Sequence, residues 1–132
     1  MSQENVDLVR QQIDAYNRHD LDGLRAVFDP DAELDWSASR GFEAGVYRGV
    51  DAILRWFTGY LDTFQEVAVE PEHFIEVGES VVVPNVAHFR GRDGIETSAR
   101  SAFVYTIRGY RITRLSLHQE TQQALKAVGL DE

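Results

Sequence analysis

The sequence has no cysteine, so disulfide staples, thiolate nucleophiles and cysteine–zinc centres are excluded, and a reducing compartment, the cytoplasm, is the expected location. Positive charge is also scarce. Thirteen basic residues stand against 22 acidic ones, for a formal net charge of −9, which argues against a partner made of nucleic acid or an anionic membrane surface. No apolar run approaches the roughly 18 residues that would cross a bilayer, and Met1-Ser2-Gln3-Glu4-Asn5 is too polar to open a signal peptide. Internal repeats, linkers and low-complexity tracts are lacking as well. What is present is 132 residues with 43% hydrophobic content, enough for one domain over 1–132 to bury a core without a staple.

Apolar residues at helical spacing open the chain. Val6, Val9, Ile13 and Tyr16 predict a first helix with Ser2 as its N-cap, and Asp20 caps a second short helix with Leu21, Leu24, Val27 and Phe28 on one face. Asp29-Pro30 ends that helix, because the residue before proline is pushed out of helical space. The strand that follows alternates, with Ala32, Leu34 and Trp36 on one side and Glu33 and Asp35 on the other. Ser37–Gly45 is small and polar and reads as a loop. Val50, Ile53, Leu54, Phe57, Tyr60, Leu61 and Phe64 then form the stripe of the main packing helix, with Trp56 a quarter-turn off its centre.

From Val67 onward the texture is that of strands: 67–77, 81–90, 97–108 and 110–118, separated by Gly78-Glu79, Asp93-Gly94 and Arg108-Gly109-Tyr110. Pro84 marks a bulge or an edge within the second of them, and Glu120–Val128 forms a closing helix ended by Gly129. Helices followed by an antiparallel meander make an α+β pattern, a curved sheet with the helices of the N-terminal half on its concave face and a cavity between the layers.

The aromatic residues Tyr16, Trp36, Tyr47, Trp56, Tyr60, Phe103 and Tyr105 come from every element that should face that cavity, and Tyr and Trp carry polar handles that suit cavity walls. Asn85, an amide in an apolar strand, joins them as a candidate ligand-binding residue. Three groups are candidate proton carriers: His88, His73 and Asp35. Alternation turns His73 inward with Val69 and Ile75, turns Asp35 away from Trp36, and leaves the side of His88 open because both faces of its strand are apolar. Arg100 in mid-strand could clamp a carboxylate or phosphate, but the many acidic residues favour reading it as one half of an outward ion pair. No histidine has metal-motif spacing, so no metal is expected.

The segments Glu4-Asn5-Val6, Asn17-Arg18-His19-Asp20-Leu21-Asp22, Asp29-Pro30-Asp31-Ala32-Glu33, Gly45-Val46-Tyr47-Arg48-Gly49, Val69-Glu70-Pro71-Glu72 and Ala124-Leu125 resemble the SnoaL-like polyketide cyclases of the nuclear-transport-factor-two-like (NTF2-like) superfamily. The resemblance covers nearly the whole chain and implies a cone-shaped α+β fold. It does not by itself assign chemistry, because the superfamily hosts isomerases, cyclases, dehydratases, hydrolases and proteins that only bind or assemble. The ketosteroid isomerases of that superfamily use an aspartate base with a tyrosine and a protonated aspartic acid as oxyanion donors. Laid against this chain, those positions fall on Trp36, Gln12 and Phe103, so the triad is not carried.

Two functions are therefore expected side by side. One is a pocket protein that binds a small apolar metabolite and transforms it by acid–base chemistry of the isomerase, cyclase or hydratase type, without a cofactor. The other is a non-catalytic binding or assembly domain, a homodimer through the outer sheet face, since the second strand of the meander is apolar on both sides.

Overall fold

The computed structural model describes residues 2–39 and 44–130, with the side chain of Ser2, and hence its expected capping role, outside the described residues. Helix α1 (Ser2–Asn17) is followed by α2 (Leu21–Val27), whose N-cap Asp20 accepts a hydrogen bond from the Gly23 backbone N–H. Strand β1 (Phe28–Asp35) begins one residue earlier than the proline signal implies, so Phe28 belongs to the strand and is buried there. Pro30 lies inside β1, within an interruption of its pairing between Phe28 and Glu33. A three-residue strand, β2 (Val46–Arg48), pairs antiparallel with the end of β1 and leads into α3 (Val50–Thr63). The loop expected over 37–45 lies partly outside the described residues.

The remaining strands are β3 (Glu66–Pro71), β4 (Ile75–Val77), β5 (Ser80–Arg90), β6 (Glu96–Arg108) and β7 (Arg111–His118), and α4 (Thr121–Ala127) follows. They form one mixed, curved and unclosed seven-stranded sheet in the order β2-β1-β7-β6-β5-β3, with β4 also pairing to β5. Only the β1–β7 pair is parallel among these described pairings; the others are antiparallel. The β6–β7 hairpin closes on Gly109 and Tyr110, both at positive φ (57° and 63°), the backbone that a two-residue turn of matching twist requires.

The continuous strand expected over 67–77 is in fact two, because the ladder stops at Glu72–Phe74. The physical reason lies opposite, at Pro84. Its carbonyl accepts from the Glu72 N–H, but proline has no N–H to give back, so the pairing cannot continue past that point.

The main core lies between the inner sheet face and α1 to α3, and includes Val9, Ile13, Ile53, Phe57, Val81, Val83, Tyr105 and Leu115. Trp56 is buried with it, because α3 is embraced from the side as well as from below. A second, smaller cluster of Val82, Ala102, Val104 and Ala124 lies on the outer face, where α4 covers it. Asn17 ties α1 to the β3 edge: its amide donates to the Val69 carbonyl at 2.9 Å and accepts from the Val69 N–H at 2.8 Å. The side chain thereby replaces the missing neighbour strand.

Candidate functional site

Sheet pairing stacks alternate side chains of three strands on the face toward the helices. Val83, Phe103 and Leu117 make one row across β5, β6 and β7, and Val81, Tyr105 and Leu115 make the next. From the opposite layer come Gln12, Ile13 and Tyr16 of α1 and Trp56, Phe57 and Tyr60 of α3. Between the layers is a cavity of about 500 Å³, bordered also by Trp36, Ser39, Phe64, Phe89, Arg100, Ser101 and Gln119.

Its wall is a connected aromatic band. The Trp36 ring centroid lies 4.8 Å from Trp56 and 5.3 Å from Phe103, Trp56 lies 4.6 Å from Tyr60, and Phe89 closes the other end 5.1 Å from Phe64. Tilted and edge-on pairs of this kind add roughly 0.5–1.5 kcal/mol each beyond the area they bury. Five residues expected at the pocket line it: Tyr16, Trp36, Trp56, Tyr60 and Phe103.

Three others expected there are not among the lining residues. Tyr105 is sealed in the core and donates its hydroxyl to Gln12 Oε1 at 2.6 Å. Asn85 is also fully buried; its amide turns back along its own strand to the Val83 carbonyl at 2.9 Å and accepts from the Ser101 hydroxyl. Tyr47, on the edge strand β2, stands behind Trp56 with ring centroids 6.4 Å apart.

None of the candidate proton carriers reaches the cavity. His73 is exposed, because the interruption of the edge strand at Glu72–Phe74 cancels the alternation that would have turned it inward. His88 lies on the outer face beside Glu70, its Nε2 3.0 Å from Glu70 Oε1. Asp35 also faces outward, held at 2.8 Å by the Arg114 guanidinium, with Ser37 donating to it from both backbone and hydroxyl. Partial burial pushes the Asp35 carboxyl up, but the Ser37 hydrogen bonds and the charge of Arg114 outweigh it, and its pKa falls below the usual carboxylate value. Neighbouring His118 is shifted down, by burial first and by Arg114 second, against the pull of Asp35.

Among the described residues that line the cavity there is no carboxylate and no imidazole. Arg100 borders the mouth, and its guanidinium is committed to Glu72. Tyr16 has its pKa raised, by burial and then by Tyr60, so its hydroxyl stays protonated. No group of three or more metal-ligating side chains occurs among the described residues.

Gln12 is the site residue that the apolar pattern misses. The signal was present as spacing: Gln12 stands four residues before Tyr16 and three after Val9, which places it on the buried stripe of α1.

Comparison with known proteins agrees with this architecture. The model of the SnoaL-like domain family matches residues 9–115, and the chain belongs to that family. The uncharacterised protein Rv0034 of Mycobacterium tuberculosis is 32% identical over 115 residues, covering 85% of this chain and 86% of that protein. Among solved structures, a candidate polyketide cyclase of Sinorhizobium meliloti superposes with a TM-score of 0.67 at 29% identity, covering 85% of this chain and 94% of the other. Rv0760c of M. tuberculosis, crystallised with estradiol-17β-hemisuccinate, superposes at 0.78 with 15% identity, covering 89% and 94%. At that identity the likeness is one of fold.

Proposed function

We propose that this protein binds a small, neutral, ring-containing apolar molecule in the cavity between its helices and its sheet. The observation that carries the reading is the composition of the wall: aromatic rings throughout, a few uncharged polar groups, and no carboxylate or imidazole among the described residues. Burying a charged ligand there would require a counter-ion, and the one cation among the described residues that border the cavity, Arg100, is already paired with Glu72.

Acid–base turnover has less support, since His73, His88 and Asp35 all lie off the cavity. A homodimer through the outer face also loses its main argument, because α4 already covers Val82, Ala102 and Val104. That Rv0760c was crystallised with a steroid ester supports ring-shaped ligands as the first class to try.

Both tryptophans of the chain line the cavity, so binding can be read from their emission. Titration with a panel of neutral bicyclic to tetracyclic compounds should give saturable changes in emission together with a raised melting temperature. If no member of the panel does either, the reading fails.

A further inference from the structure

We propose that Gln12 presents its amide N–H to the cavity and selects a ligand that places a carbonyl oxygen there, with Tyr105 as the positioning residue that aims it. This deepens the cavity reading and rests on it.

The argument begins with Tyr105. Its hydroxyl is fully buried and its hydrogen-bond partner is Gln12 Oε1, 2.6 Å away. Burial, and secondarily the neighbouring Tyr16, holds this hydroxyl protonated, so it has a proton to place. If the Gln12 amide were turned over, its N–H would point at the hydroxyl and the phenolic proton would be left in the core without an acceptor, which costs more than leaving a lone pair unused. Tyr105 therefore fixes which end of the amide faces inward.

The other end, Nε2, has no hydrogen-bond partner among the described residues. It is not sealed in the core either, because no fully buried side-chain nitrogen or oxygen of the described residues lacks a partner. Gln12 lines the cavity, so its two amide protons are offered to whatever occupies it. Tyr16 follows one helical turn later on the same face of α1 and borders the same space. An uncharged donor set, on a wall whose one cation among the described residues is Arg100, already paired with Glu72, matches a ketone, quinone or amide oxygen better than a carboxylate.

The test uses 1-tetralone and tetralin, a pair of nearly equal shape that differs by a carbonyl in place of a methylene. Their dissociation constants are measured by calorimetry on the wild type and on Gln12→Met/Tyr105→Phe. The double substitution removes both hydrogen-bonding partners together, so it leaves no orphaned polar group to unfold the core. The ratio of the two constants should move toward tetralin by roughly threefold to tenfold, the worth of one neutral hydrogen bond. The infrared carbonyl band of bound tetralone supplies a readout that a purely structural role would not move. It should lie below its position in hexane with the wild type and return toward that position in the double variant. In Tyr105→Phe it should broaden as the amide becomes free to turn.

An unchanged ratio with an unmoved band overturns the inference and leaves the cavity reading standing. A band that relaxes in Tyr16→Phe but not in the double variant also overturns it, in favour of Tyr16. Binding of neither compound to the wild type overturns this inference and leaves the cavity reading to be decided by the wider panel.

Discussion

Removing the Trp36 ring tests whether the aromatic band is a packed wall. Trp36 is 8% exposed and touches Trp56 and Phe103, from α3 and β6. Trp→Ala in a close-packed core costs about 3–5 kcal/mol. One side of this ring borders the cavity, where there are no partner atoms to lose, so the loss should fall at the lower end, about 3 kcal/mol. For 132 residues, with an unfolding entropy of about 2.1 cal/mol/K per residue, that is a fall in melting temperature of roughly 10 °C. Scanning calorimetry, paired with urea unfolding at 25 °C to hold the denatured-state slope in view, measures it directly. Trp36→Phe should recover about half, since a smaller ring keeps the contact with Trp56. A loss under about 1 kcal/mol for Trp36→Ala would refute the reasoning, because it would mean that the ring rests on the rim without packing against the band.

Asn17→Ala removes both hydrogen bonds to Val69 and should cost about 1–2 kcal/mol in urea unfolding, with faster amide exchange at Val69; a loss within about 0.5 kcal/mol would show that water replaces the clamp fully. The folded state disfavours protonated His118, whose pKa lies below its ordinary 6.5, so its contribution is complete above 6.5 and is lost as pH falls through the folded value. Melting curves of His118→Gln should accordingly fall less steeply on acidification below 6.5, and a profile parallel to that of the wild type would contradict this. Asp35 has the same sign lower on the scale: its pKa sits below 3.8, so Asp35→Asn should destabilise at neutral pH and cease to matter well below 3.8, as read from melting temperatures across that range. Deleting residues 120–132 uncovers Val82, Ala102 and Val104, and light scattering should then show self-association; an unchanged monodisperse species would mean that α4 is not what keeps that face from partners.

Much of the fold was legible because long elements repeat their period. The stripe of α3 recurs often enough to fix which residues face inward, and the turn signals mark where β5, β6 and β7 end, but the two apolar faces of β5 left the side of His88 open. Short and broken elements were not. Strand β2 has three residues, too few for a period to show. The break between β3 and β4 is imposed by Pro84 on the neighbouring strand, and nothing within Glu72–Phe74 announces it. That break is why alternation alone turns His73 to the wrong side.

The site was legible in part. Aromatic residues on inward faces identify the wall, but local pattern cannot separate a ring that borders the cavity, such as Phe103, from one sealed behind it, such as Tyr105 two residues away. Gln12 acquires its meaning from a hydroxyl 93 positions further along the chain, which only the folded structure brings to it.

The most direct test of the central claim is to fill the cavity and ask whether binding disappears. Ala87 lines it from β5, between Asn85 and Phe89 on the inner face, and is half-buried. Ala87→Phe puts a ring into the space and leaves Gln12, Tyr105 and the outer face unsubstituted. Calorimetric titration with 1-tetralone should show affinity falling at least about tenfold while the melting temperature holds within a few degrees. Undiminished binding by the filled, folded variant would contradict the claim that the ligand sits between the helices and the sheet.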